Sequence, residues 1–148
     1  MNKDELQKYF REHVVYEVNM FATTRTLLSR ENLEITLKNP ILESWVMHMR
    51  CLVAFLYPHT YKPYPTDVAA WDYFSAKKMW SALCGHPSGK LKKAKQRADR
   101  EVGHLTKFRQ YGEPSSKYWA VSELTDELLS VFKVFTEHAD LLSLDAVK

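Results

Sequence analysis

Apolar residues recur every three or four positions along most of this chain, a spacing that admits little besides packed helices. Leu6, Phe10, Val14, Phe21, Leu27 and Leu28 form such a stripe over about residues 3–29. Asn39 and Pro40 read as an N-cap followed by the first residue of a second helix. That helix is expected to run to about Tyr57, burying Leu42, Trp45, Met49, Leu52, Val53 and Leu56. Pro58, Pro63 and Pro65 break it within a ten-residue loop, PHTYKPYPTD, a natural rim for a binding site. Asp67 is expected to cap a short aromatic helix through Trp71, Phe74 and Trp80. After a hinge at Gly85, Pro87 and Gly89, Ser88 is expected to cap a basic helix that Gly112 and Pro114 terminate. Trp119, Leu124, Leu128, Leu129, Phe132 and Phe135 mark a last helix, and the tail from Leu141 onward is expected to pack weakly or fray.

No stretch alternates in the manner of a strand, and no repeat is evident. The expectation is therefore an all-α antiparallel bundle of four long helices and one short one, forming a single domain over residues 1–148. With 45% hydrophobic residues, the 148-residue chain can bury a core without disulfides or a structural metal. Four glycines and six prolines point to long elements with short connections, which favour antiparallel neighbours. No run approaches 18 apolar residues, so no membrane span is expected. The first residues, MNKDELQKYFREH, lack the apolar core of a secretory signal. Cys51 and Cys84 stand apart without a Cys-x-x-Cys motif and read as reduced thiols, consistent with a cytoplasmic location.

The charge is unevenly spread. Residues 88–111 carry eight Lys/Arg against Asp99 and Glu101, about +6, while the whole chain carries only +3. A basic periodic segment on a mildly acidic body suits an anionic partner. Projected as a helix, Leu91, Ala94, Ala98, Val102 and Leu105 share one stripe, with Arg97, Arg100 and His104 together beside it. Arg97 and His104 lie two turns apart, about 10 Å along the axis, so they would grip different parts of one ligand. Lys92 and Lys93 point outward as phosphate contacts or a solvated face. Glu101 lies between Arg97 and His104 and can pair with Arg97. On the second helix, His48 sits at the edge of the buried stripe and Arg50 on its other flank, both candidate contributors if a neighbouring helix brings His104 close.

The six histidines follow no recognised ligand spacing, so no metal is expected. Serine-nucleophile, P-loop and dinucleotide motifs are absent, and no cofactor is expected.

Three segments, MHMRCLVAFLYP (Met47 onward), TDVAAWDYF (Thr66 onward) and RADREVGHLTKFR (Arg97 onward), followed by Trp119, together resemble a family of bacterial helical-bundle proteins related to HEPN domains. Its pattern is a His-x-Arg-Asn-Leu helix, an Asp-Val-x-Ala segment and an Arg-x-Asn-Lys-x-x-x-His-Leu-Thr helix. Cys51 stands here at the asparagine, and Ala98 follows the motif arginine where active members carry a polar residue. The resemblance covers about residues 5–140 and implies a HEPN-like bundle that dimerises. In active HEPN domains an arginine and a histidine, four to six residues between them, form a metal-independent ribonuclease site across the dimer. Arg97 and His104 match that spacing. The resemblance thus implies Arg97 and His104 as catalytic residues in a defence or toxin-type endoribonuclease, and the charge of the basic helix adds Arg100, Lys92 and Lys93 as phosphate contacts.

The alternative expectation is a non-catalytic bundle that binds a protein partner or a nucleotide, with His48, Arg50 and His104 as polar contacts. A third is a bundle resembling the DinB type, in which three histidines from separate helices hold a divalent ion. The partners expected are RNA or a nucleotide, a second copy of the chain, and a protein.

Overall fold

The computed structural model describes residues 1–103, 106–110 and 117–142, without the side chain of Phe108. Among the described residues every regular element is helical. Helices α1 (Lys3–Tyr9) and α2 (Val15–Leu28) are joined end to end by a π turn, Phe10–Val14. They are followed by α3 (Ile35–Leu56), α4 (Lys77–Cys84), α5 (Gly89–Arg97) and α6 (Val121–His138). A second π turn, Ala98–Val102, extends α5, and 3₁₀ turns span Ala70–Tyr73 and Lys107–Gln110. Both π turns fall where the apolar stripe steps by four: Leu6, Phe10, Val14 in one and Ala94, Ala98, Val102 in the other. Residues four apart drift around an α-helix, and one wider turn brings them back into line with the core.

Side-chain pairings give the directions of the long helices. Glu17 meets His48 and Phe21 meets Trp45, so α2 and α3 are antiparallel. Ser88 meets Glu127 and Lys90 meets Glu123, so α5 opposes α6. Arg25 meets Asp126 and Gln7 meets Leu141, which sets the first helix against α6. The result is an up-down-up-down all-α bundle, the architecture the periodicity implies.

Its core is aromatic. Phe135 is fully buried, with the rings of Phe10, Phe55, Tyr73, Phe74, Trp80 and Phe132 at centroid distances of 5.3–6.2 Å. These rings come from the first helix, α3, the 3₁₀ turn and the extended residue after it, α4 and α6 itself, so one side chain ties together both ends of the sequence. Farther along α3, Trp45 stacks on Phe21 and donates its indole N–H to Thr125 Oγ1 at 3.1 Å, filling the polar need of an otherwise apolar site.

Four local expectations change. α3 begins at Ile35, not Pro40; Pro40 lies inside the helix, where its missing N–H cannot serve the Thr36 carbonyl. Glu34 instead opens the helix, its carbonyl receiving the N–H groups of Leu37 and Lys38. The aromatic segment is two pieces, with Phe74 in extended backbone between them. Asp67 closes a turn by accepting from the Tyr64 N–H, and Asp72 accepts from Ala69 at the start of the 3₁₀ turn. The basic helix stops at Val102 rather than reaching Gly112: Gly103 donates its N–H to the Ala98 carbonyl, and Thr106 Oγ1 donates to the Arg100 carbonyl. Leu141 and Leu142 are half-buried against the core, held by bonds from Gln7 to the Leu141 carbonyl and from the Leu141 N–H to Tyr73. Ser88 does cap α5, accepting from the Leu91 N–H, and Gly85 ends α4 with a φ of +62° that favours glycine.

Candidate functional site

A cavity of about 580 Å³ opens between the first helix, α3, the proline-rich loop and α5. That volume is in the range of small-molecule sites. α3 buries Met49, Leu52 and Val53 and so turns Arg50, Cys51 and Ala54 toward the opening. The proline loop forms the facing wall through Tyr61, Lys62, Pro63, Tyr64 and Asp67.

One part of the cavity lining is basic. Arg50 Nε and Lys95 Nζ donate to the two oxygens of Asp99, at 2.5 and 2.6 Å. Lys95 also lies over the Tyr61 ring, 4.9 Å from its centroid. Burial pushes the Asp99 carboxyl up, but the bonds from Lys95 and Arg50 outweigh it and hold the group below the ordinary carboxylate range. Burial, with Asp99 adding to it, raises the Tyr61 phenol, whose oxygen is enclosed without a hydrogen-bond partner among the described residues. Two cations and one carboxylate leave this group with one net positive charge, and exposed Lys62 adds another.

A second part of the lining is acidic. Glu17, Asp67 and Tyr9 form it, with His13 packed on the Tyr9 ring at 4.7 Å. Burial raises the Tyr9 phenol, and the charges of Glu17 and Asp67 raise it further. Glu17 Oε2 lies 2.7 Å from His48 Nδ1, and Asp67 Oδ2 accepts from the Tyr64 N–H at 2.8 Å. Cys51 lines the cavity between the two groups, its thiol raised by burial and then by Glu17, which Arg50 partly offsets. The cavity lining therefore combines aromatic rings with a basic group and an acidic group.

The residues singled out in the sequence are distributed around this arrangement. Arg50 contributes to the basic group, and His48 supports Glu17 from behind. Lys92, Lys93 and Arg100 are exposed on α5 and its extension. Arg97 faces away from the cavity: its Nε donates to Glu101 at 2.7 Å, and its terminal nitrogens donate to the carbonyls of Tyr118 and Lys117 at 2.8 and 2.7 Å. The pairing with Glu101 is the one the helical spacing suggested. His104 lies outside the described residues. Among the described residues, no three His, Cys, Asp or Glu side chains gather to hold a metal ion, and no helix is long and apolar enough to cross a membrane.

Sequence reasoning missed Tyr9, Glu17, Tyr61, Lys95 and Asp99. Lys95 and Asp99 carried a signal, since an i,i+4 ion pair on the flank of the apolar stripe also faces the neighbouring helix. Elsewhere, His59 Nδ1 lies 3.9 Å from Cys84 Sγ, but burial pushes that thiol up to about 11, so it stays protonated at neutral pH. Compared with protein-family models, curated proteins and solved structures, the chain matches none.

Proposed function

We propose that this protein is a non-catalytic helical-bundle binding module whose cavity takes a nucleotide. The observation that carries the reading is the joining of tyrosine walls to a basic group within one recess of nucleotide size. Tyr9, Tyr61 and Tyr64 offer ring faces to a base. The Arg50 and Lys95 pair offers charge-assisted donors to a phosphate, which competes with Asp99 for them. Arg97 takes no part, because its guanidinium is occupied by Glu101 and two backbone carbonyls and lies over the ring of Trp119. Exposed Lys92, Lys93 and Arg100 serve as a secondary cationic surface for phosphates if the nucleotide belongs to an RNA strand.

Isothermal titration calorimetry with AMP, CMP, GMP and UMP tests the reading. At least one is expected to bind stoichiometrically, and Arg50→Ala and Lys95→Ala are expected to weaken it by about tenfold each, as for a lost charge-assisted hydrogen bond. Lys92→Ala with Lys93→Ala is expected to leave that affinity unchanged. The absence of heat with all four nucleotides, or equal affinity in the Arg50 and Lys95 variants, overturns it.

A further inference from the structure

We infer that the acidic group of the cavity selects a base bearing an amino group, with Glu17 and Asp67 as the residues that read it; the inference rests on the nucleotide reading above. Each carboxylate has one oxygen committed, Glu17 to His48 and Asp67 to the Tyr64 N–H. Among the described residues the second oxygen of each has no hydrogen-bond partner, and both side chains line the cavity.

Two accepting oxygens in one recess match an exocyclic amine, which has two N–H donors. They repel a ligand atom that can only accept. Burial and the same two acids raise the Tyr9 phenol, keeping it a neutral hydroxyl beside the base. Phosphate is disfavoured beside Glu17 and Asp67 by like charge, while Arg50 and Lys95 offer it donors. The ligand is thereby oriented: phosphate toward α5 and amine toward the first helix and the Tyr64–Asp67 turn.

Asp67 and Glu17 are not equivalent as test positions. Glu17 also holds His48 from α3, so changing it disturbs helix packing. Asp67 is exposed, and an asparagine there still has a carbonyl oxygen to accept the Tyr64 N–H while turning a donor toward the ligand. Asp67→Asn therefore changes the reading of the base with the turn retained.

The experiment compares AMP with purine riboside 5′-monophosphate, which carries hydrogen in place of the amine. Wild type is expected to prefer AMP by about tenfold, the effect of losing a hydrogen bond to a charged group. Asp67→Asn is expected to weaken AMP toward the affinity of the purine riboside nucleotide and to leave the latter unchanged, as the cycle of protein and ligand changes requires if the two groups interact. Equal affinity for the two ligands, with both still weakened by Arg50→Ala, overturns the amine reading and leaves the nucleotide site standing. Failure of both ligands and of all four common nucleotides overturns the site itself.

Discussion

The Cζ atom of Arg97 lies 4.0 Å from the ring centroid of Trp119. A guanidinium over an indole face gains both dispersion and attraction to the ring quadrupole. Its nitrogens also reach the Lys117 and Tyr118 carbonyls and Glu101, so one side chain ties α5 to the segment leading into α6. With 19% of its side chain accessible, Arg97 acts as a brace rather than as a group awaiting phosphate.

Arg97→Ala should therefore lower the melting temperature, by an amount equivalent to about 1–2 kcal/mol for the stacking and hydrogen bonds lost together. Arg97→Lys should recover only part of this, because an ammonium has neither the plane to stack nor the fork to reach two carbonyls. Nucleotide affinity should stay constant. An Arg97→Ala protein as stable as wild type would return this side chain to the phosphate-binding role expected from the basic segment.

Phe135 offers the most severe test of the core. Its ring lies among rings from the first helix, α3, the Ala70–Phe74 segment and α4, and its removal leaves a hole that rigid neighbouring rings fill poorly. Phe135→Ala should lower the free energy of unfolding by about 3–5 kcal/mol, and Phe135→Leu by less. Urea denaturation followed by circular dichroism gives both values. A loss under 1 kcal/mol, on the order of a surface change, would show that Phe135 is not the centre of the packing.

The bundle was legible because periodicity reports burial directly: Trp45, Met49, Leu52, Val53 and Leu56 are all buried where the stripe placed them. Helix ends were harder to read. Pro40 fits an N-terminal position on local grounds, yet Glu34 starts the helix earlier, because one lost bond is tolerated when the later turns bury Trp45 and Val46. The proline loop was legible as a rim, since prolines keep its backbone out of the helices. The cavity's charge pattern was not. Arg50 and Asp99 lie 49 residues apart, and Glu17 and His48 lie 31 apart. Their pairing depends on helix rotation and on the π turn at Ala98–Val102, neither of which any single segment encodes.

Acid should expose the Asp99 pairing. Its carboxyl is held below its ordinary value, so the folded state binds a proton less readily than the unfolded chain. The resulting stability is complete above the unfolded-state value, about 3.9, and is lost as pH falls through the lower folded value. Asp99→Asn should be less stable than wild type at neutral pH, with the difference shrinking at the acid end of a melting-temperature profile. It should also bind AMP more tightly at low salt, because Arg50 and Lys95 no longer share an internal anion. Parallel profiles for the two proteins down to acid pH would remove Asp99 from the account.

Proteolysis connects the loop to the ligand. In the loop, Tyr61 bonds to the Tyr57 carbonyl and Tyr64 pairs with Asp67, whereas Lys62 and Pro63 have no backbone hydrogen bond among the described residues. Chymotrypsin should cut after Tyr61, because Tyr64 in the loop and Tyr57 just before it each precede a proline. Cleavage requires the wall to leave the cavity, with Tyr61 pulled from beneath Lys95. A nucleotide bound between Tyr61 and Arg50 opposes that opening and should slow nicking by 1 + [L]/Kd, about tenfold at ten times Kd. Arg50→Ala should lose this protection at the same AMP concentration. Wild-type nicking that proceeds at full rate under saturating AMP, as judged by calorimetry on the same sample, would place the nucleotide elsewhere on the bundle.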